Sequence, residues 1–158
     1  MEYEEYRALY NNLNVYSDIA KMESRGYESR LVRTLYTQKT SRDVKKRFHI
    51  VKQNSKRMLK EWKNGKTMME LAEKWRFPPV MTAMFLFLED GASKKEFWGY
   101  INDPDKLRSD VAEELREVIE KDPVYSPAGN EEQRQRGIWG ETLLQNWLDE
   151  QGIGYRTE

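Results

Sequence analysis

Apolar residues return along this chain at helical spacing, most clearly between Gly65 and Gly91. Met68, Leu71, Ala72 and Trp75 stand at i, i+3, i+4 and i+7, the apolar face of a helix. Thr67 and Glu70 give that helix a T-x-x-E capping box, in which each side chain satisfies an orphan amide of the first turn. Arg76-Phe77 then precede Pro78-Pro79. The residue before a proline is pushed out of helical geometry, whereas proline itself suits a helix start. A second, nearly all-apolar helix is therefore expected from about Pro79 to Glu89, stopping at Asp90-Gly91. This is the order of a helix-turn-helix, whose second helix enters the major groove in DNA-binding examples. The same order also serves helices that only pack together.

The rest of the chain carries the same period. Helices are expected over Glu2 to Leu13, Tyr16 to Ser24 and Glu28 to Gln38, the last with Leu31, Val32, Leu35 and Tyr36 facing inward. Together they resemble a first, less clear helix-turn-helix over about residues 1–40. A longer helix follows from Ser41 to about Lys63, with Val44, Phe48, Val51, Met58 and Trp62 on a seam close to a heptad. It would span on the order of 33 Å. It opens the second unit, about residues 41–91. Ser93 and Glu96 form another capping box, before a helix with Phe97, Trp98, Tyr100 and Ile101. Asn102-Asp103-Pro104 starts a further helix, reaching Asp122-Pro123 through Leu107, Val111, Leu115, Val118 and Ile119. Its exposed face carries Glu113, Glu114, Glu117 and Glu120. Val124 to Glu132, VYSPAGNEE, is rich in turn formers and reads as the boundary between a helical region, 1–123, and a second domain, 124–158. Beyond it a helix is expected from about Glu131 to Glu150, then a strand beginning at Ile153. A lone strand leaves its ladder unmade, so the chain is expected to be cut inside that domain.

Composition removes several chemistries. There is no cysteine and a single histidine, His49. Disulfides, thiolate metal sites, thiol nucleophiles, a histidine-based zinc site and a Ser-His-Asp triad cannot be built within one chain. His49 lies beside the apolar seam and reads as a surface or core-edge residue. The N-terminus, MEYEEYR, is charged where a signal peptide needs an apolar run, and no stretch is long enough to span a bilayer. A soluble, intracellular protein without a membrane partner is expected.

The net charge of zero hides a strong segregation. Lys21 to Lys66 holds fifteen Lys/Arg against four carboxylates, whereas Asp110 to Glu158 holds twelve carboxylates against five Lys/Arg. Such segregation points to a polyanion partner; alternatively, the two halves attract each other or form solvated faces. On the polyanion reading, Arg30, Arg33, Lys45, Lys46, Lys52, Lys56 and Arg57 are the candidate phosphate contacts, and Arg76 and Thr82 the candidates for base edges.

The C-terminal stretch GIWGETLLQNWLDEQGIGYRTE resembles the opening of a PD-(D/E)xK, restriction-endonuclease-like domain. LKEWKNGKTMMELAEKWRFPPVMTAMFLFLE, then INDPDKL, then VYSPAGN, is similar in order and spacing to the TPD-motif family of archaeal proteins, in which the animal codanin-interacting nuclease is included. The resemblance covers residues 50 to 158 well and the first helices loosely. It implies tandem helix-turn-helix units followed by a metal-dependent nuclease-like domain. Within it, Glu141 matches the helix-borne acid that assists a metal site, and Glu158 the glutamate closing the first strand. The oxygen ligands of such sites suit Mg²⁺ or Mn²⁺. The Asp of T-P-D and the E-S-K triplet would lie beyond Glu158, so these 158 residues are expected to bind no cofactor and to leave DNA uncut.

The expectation is thus a mainly α protein: tandem helix-turn-helix units joined by a long basic helix, followed by the truncated start of an α/β nuclease-like domain. Its function would be to hold duplex or structured DNA by the phosphate backbone. The rival is a protein-interaction module using exposed aromatics such as Phe77, Trp98 or Trp139. A third reading is a nuclease completed by strands from elsewhere.

Overall fold

The computed structural model describes residues 2–129 and 131. Among these residues every regular element is a helix. In order they are α1 (Tyr3–Asn11), α2 (Ser17–Ser24), α3 (Ser29–Gln53), α4 (Ser55–Lys63), α5 (Met68–Trp75), α6 (Pro79–Glu89), α7 (Lys94–Asn102), a 3-10 turn at Pro104–Lys106, and α8 (Ser109–Lys121). None of them is long and apolar enough to cross a membrane. The expected strand at Ile153 and the helix over 131–150 fall outside the described residues, apart from Glu131.

Two apolar cores organise these helices. In the first, Leu9 and Leu13 from the α1 end meet Ile19 and Met22 of α2 and Val32, Leu35 and Tyr36 of α3. The second gathers Val51, Met58, Met68, Leu71, Phe97, Leu115 and Val118 around α6. Eight of the eleven α6 residues are buried, so this helix has almost no solvent face. Burying a large apolar side chain contributes about 1.5–3 kcal/mol, which makes α6 the main source of stability in this core.

Local signals account for the ends of these elements. The Thr67 hydroxyl accepts from Glu70 N–H at 3.1 Å, and the Glu70 carboxylate accepts from Thr67 N–H at 3.4 Å. Ser93 and Glu96 form the same reciprocal pair. Pro79 stands at the first position of α6. Pro104, expected to open a long helix, opens only the single 3-10 turn, and α8 starts at Ser109.

The largest departure from expectation lies in α3. The break expected between Gln38 and Ser41 is absent; one helix of 25 residues runs through it, about 37 Å long. The long helix was expected to start at Ser41, but the Ser41 hydroxyl donates backward to the Thr37 carbonyl at 2.9 Å. That local bond is compatible with helix interior, and no Gly or Pro forces a stop. The interruption comes instead at Asn54, whose side-chain amide donates to the Ile50 carbonyl at 2.8 Å. Ser55 then donates to the Lys52 carbonyl and to Glu89 of α6. The expected seam is bent there: Val51 and Met58 are fully buried, while Phe48 is 36% exposed and only touches Phe85 edge-on. Because α3 is continuous, its first half belongs to one core and Val51 to the other.

The segment after α8 is packed rather than free. Asp122 is buried and accepts three backbone N–H groups, from Val80 at 2.9 Å, Val124 at 2.9 Å and Tyr125 at 2.8 Å. It thereby caps α6 from forty-two residues away in the chain. Burial, the largest influence on it, pushes its carboxyl above the usual range, while the three donors pull the other way. Val124 completes the first core, and Tyr125 packs on both. A Cβ at Gly129 would lie 2.5 Å from the Pro123 carbonyl oxygen, so the turn admits only glycine there. VYSPAG is therefore a clasp on the helical body.

Glu114 also leaves the acidic row expected on α8. It is half-buried and accepts from Met68 N–H at 2.6 Å and from the Trp62 indole.

Candidate nucleic-acid interface

Helix α3 bears eight Lys/Arg and one carboxylate, Asp43. Its continuity decides how those cations are arranged. Residues on a helix advance by about 100° each, so positions seven apart nearly eclipse and adjacent ones diverge. Lys45 and Lys52 accordingly nearly eclipse, and Arg30, about 60° round from Lys45, falls on the same outer side. Lys46 points about 100° away from Lys45, toward the α5–α6 turn.

There it meets other cations. Asn14, Lys39, Asp43, Lys46, Arg47 and Arg76 line an open cleft of about 300 Å³. Four of the six lining residues are cationic and one is acidic, a composition suited to phosphate. Three of the four cations are placed by different devices. Arg47 donates to the Trp75 carbonyl at 2.7 Å, filling an orphan acceptor at the C-terminus of α5. Lys39 donates to the Asn14 side chain at 2.7 Å. Partial burial, the largest cause, and the Arg76 charge hold the Lys39 ammonium below its usual range, against the pull of Asp43.

Arg76 is set by backbone strain. Its φ of 50° and ψ of 55° are left-handed, and among the described residues it is the one non-glycine with positive φ. Arg76 N–H donates to the Glu73 carbonyl and Phe77 N–H to the Ala72 carbonyl, the bonds of a Schellman ending whose left-handed site is usually glycine. An arginine held there costs about 1–2 kcal/mol relative to ordinary geometry. Its side chain reaches the cleft in return.

The candidates named from the sequence thus fall into several groups. Arg30, Lys45, Lys46, Lys52 and Lys56 are exposed, and none has an ion-pair partner among the described residues. Arg33 pairs with Glu23 at 3.8 Å. Arg57 lies 3.7 Å from Glu61 and over the Trp75 ring at 5.8 Å. Arg76 is exposed and joins Lys46 in the cleft.

Thr82 is a correction. It is fully buried, with its hydroxyl donating to the Pro78 carbonyl at 2.9 Å, and it cannot touch a base. The same burial keeps α6 as a whole out of a major groove, so the central helical hairpin is a packing unit.

The aromatics proposed for protein contact also shift. Phe77 is 5% exposed and packs on Phe85, and Trp98 is half-buried against Phe97. Glu141, Trp139 and Glu158 lie outside the described residues. Among those described, no group of three or more His, Asp or Glu is placed to hold a metal ion.

Lys39, which lines the cleft, was not among the sequence candidates, because the third helix was expected to end at Gln38. It missed the cleft as well, since Lys46 and Arg76 are brought together only by tertiary packing.

A family model described as "Protein of unknown function TPD sequence-motif" matches residues 107–158. The chain is similar to that family over α8, the clasp and the residues that follow. No curated protein and no solved structure matches the chain. The matched span stops short of α3, so the cationic helix has to be read from its own chemistry.

Proposed function

We propose that the helical body holds DNA by its phosphate backbone, as the DNA-holding part of a PD-(D/E)xK nuclease-like protein. The observation that carries this reading is α3, on which Arg30, Lys45, Lys46 and Lys52 are exposed and have no ion-pair partner among the described residues, along a helix about 37 Å long. Paired cations would serve the fold; unpaired cations on one rigid element serve an external anion. Each phosphate neutralised by such a residue releases condensed counterions, so affinity falls steeply as salt rises. Lys45, Lys52 and Arg30 supply one line of contacts, Lys56 extends it onto α4, and Lys46 with Arg76 supplies a second beside it.

Residues 107–158 are similar to the TPD sequence-motif family, and the attachment to a nuclease-like domain rests on the resemblance of GIWGETLLQNWLDEQGIGYRTE to the opening of such a domain. In that reading Glu141 is the helix-borne acid of a Mg²⁺ or Mn²⁺ site. The holding role uses no metal.

The test is direct. Reversing Lys45, Lys46, Lys52 and Lys56 to Glu abolishes DNA binding and leaves the helical circular dichroism unchanged. Unaltered affinity in that variant would sink the proposal. Salt-insensitive capture of a protein ligand, without DNA binding, would establish the interaction module instead.

A further inference from the structure

A second groove adjoins the cleft, between α1 and α3. Tyr3, Tyr6, Arg7, Tyr10 and Arg42 line about 280 Å³ of open space there. Tyr3, Tyr6 and Tyr10 stand at i, i+3 and i+7, one face of α1. Tyr3 is 74% exposed and Tyr6 39% exposed, unusual for residues whose rings gain by burial. Tyr10 is fixed at the floor: the Arg42 guanidinium lies over its ring at 5.9 Å and donates to its hydroxyl at 3.2 Å, and the Lys39 ammonium sits 5.4 Å from the ring centroid. Glu4 and Glu5 fall on other faces of α1 by helical spacing.

Lys39 belongs to both places. It covers Tyr10 in the groove and donates to Asn14, which lines the phosphate-suited cleft with Lys46 and Arg76. Two open tyrosine faces, Tyr3 and Tyr6, beside Arg7 and leading through the cation-covered Tyr10 into a cluster of cations, form the kind of surface that unpaired nucleotides use. Bases of any sequence stack on aromatic faces while the backbone follows positive charge. A duplex cannot use the tyrosines, because its base faces are already stacked on one another.

We infer that the α1–α3 groove takes the unpaired bases of a single-stranded DNA segment whose phosphates continue into the Lys39–Lys46–Arg76 cleft. This rests on the DNA-holding reading and names the strand form that the body prefers. A duplex with a single-stranded tail would then place the tail on α1 and the duplex along the outer stripe of α3.

The test measures fluorescence anisotropy of the full chain with a short oligothymidylate and with a blunt duplex, comparing wild type with Tyr3→Ala/Tyr6→Ala. Both tyrosines are exposed, and circular dichroism checks that the variant is folded. The expected result is a loss of single-strand affinity on the order of tenfold or more, with duplex affinity changed by less than about twofold. The Tyr3→Phe/Tyr6→Phe variant keeps single-strand binding. Salt-sensitive duplex binding combined with unchanged oligothymidylate binding in the Ala variant would overturn this inference and leave the holding role standing. Equal losses on both probes would also overturn it. If wild type bound neither probe at low salt, the holding role and this inference would fall together.

Discussion

Helices α3 and α6 each follow a turn and each occupy the place of a reading helix, yet their surroundings are opposite. Helix α6 ends the clearer helix-turn-helix pattern and is swallowed by the core, with Leu86 and Val80 fully buried. Helix α3 ends the vaguer one, and its outer stripe is cationic and open. A sharp motif in sequence, with its caps, prolines and unbroken apolar run, is here the mark of strong packing. A helix that must meet a ligand keeps polar residues that blur its periodicity. The element that looks least regular is the one left available.

That contrast can be broken or sharpened by four measurements. Largest is the charge reversal of Lys45, Lys46, Lys52 and Lys56, which lowers DNA affinity on the order of a thousandfold at moderate salt and flattens its salt dependence. A comparable loss from an α6 surface change would erase the distinction between the two helices. Next, Leu86→Ala lowers unfolding free energy by about 3 kcal/mol in urea titration, by loss of burial and the cavity left behind. Its DNA affinity, measured where the variant is still folded, stays at the wild-type value.

Third, Asp122→Ala lowers stability by about 2 kcal/mol, because the Val80, Val124 and Tyr125 amides lose a buried acceptor. Hydrogen exchange should show the N-terminal turn of α6 and the 122–125 turn losing protection together. Smallest is Arg76→Gly. Glycine suits the left-handed backbone, so stability stays within about 1 kcal/mol of wild type, while loss of one phosphate contact weakens DNA binding roughly three- to tenfold. If Arg76→Gly bound DNA normally, the strain at this residue would need another explanation.

Much of the helical body was legible because its signals are local. Thr67 with Glu70, Ser93 with Glu96, Pro79 at a helix start and the positive φ of Gly26, Gly65 and Gly91 each act within a few residues. The errors arose where a residue's partner is ambiguous or distant. A helix start was expected at Ser41, but its hydroxyl bonds back to Thr37 within one continuous helix. Thr82 looked polar and hence available, but its hydroxyl is satisfied within its own helix at Pro78, so it can be buried without cost. Asp122-Pro123 looked like a helix end followed by a linker, whereas the carboxylate serves a helix start forty-two residues earlier. The cleft needed Lys46 and Arg76 in one place, and their separation along the chain conceals that. Arg30, Lys45 and Lys52 fall on an outer stripe because α3 is unbroken, whereas the cleft also needs the packing that brings Arg76 to Lys46.

The clasp after α8 has a consequence for synthesis. Helices α1, α2 and α3 leave the ribosome before α4 to α8, yet the core they form with Leu9 and Tyr36 also contains Val124. The amino-terminal half emerges one side chain short of its final packing and stays so while α4 to α8 are being made. Only when Asp122 and Val124 arrive can α6 gain its cap and the first core its last member. Completion of the first core thus waits on a turn that follows it by roughly ninety residues in the chain.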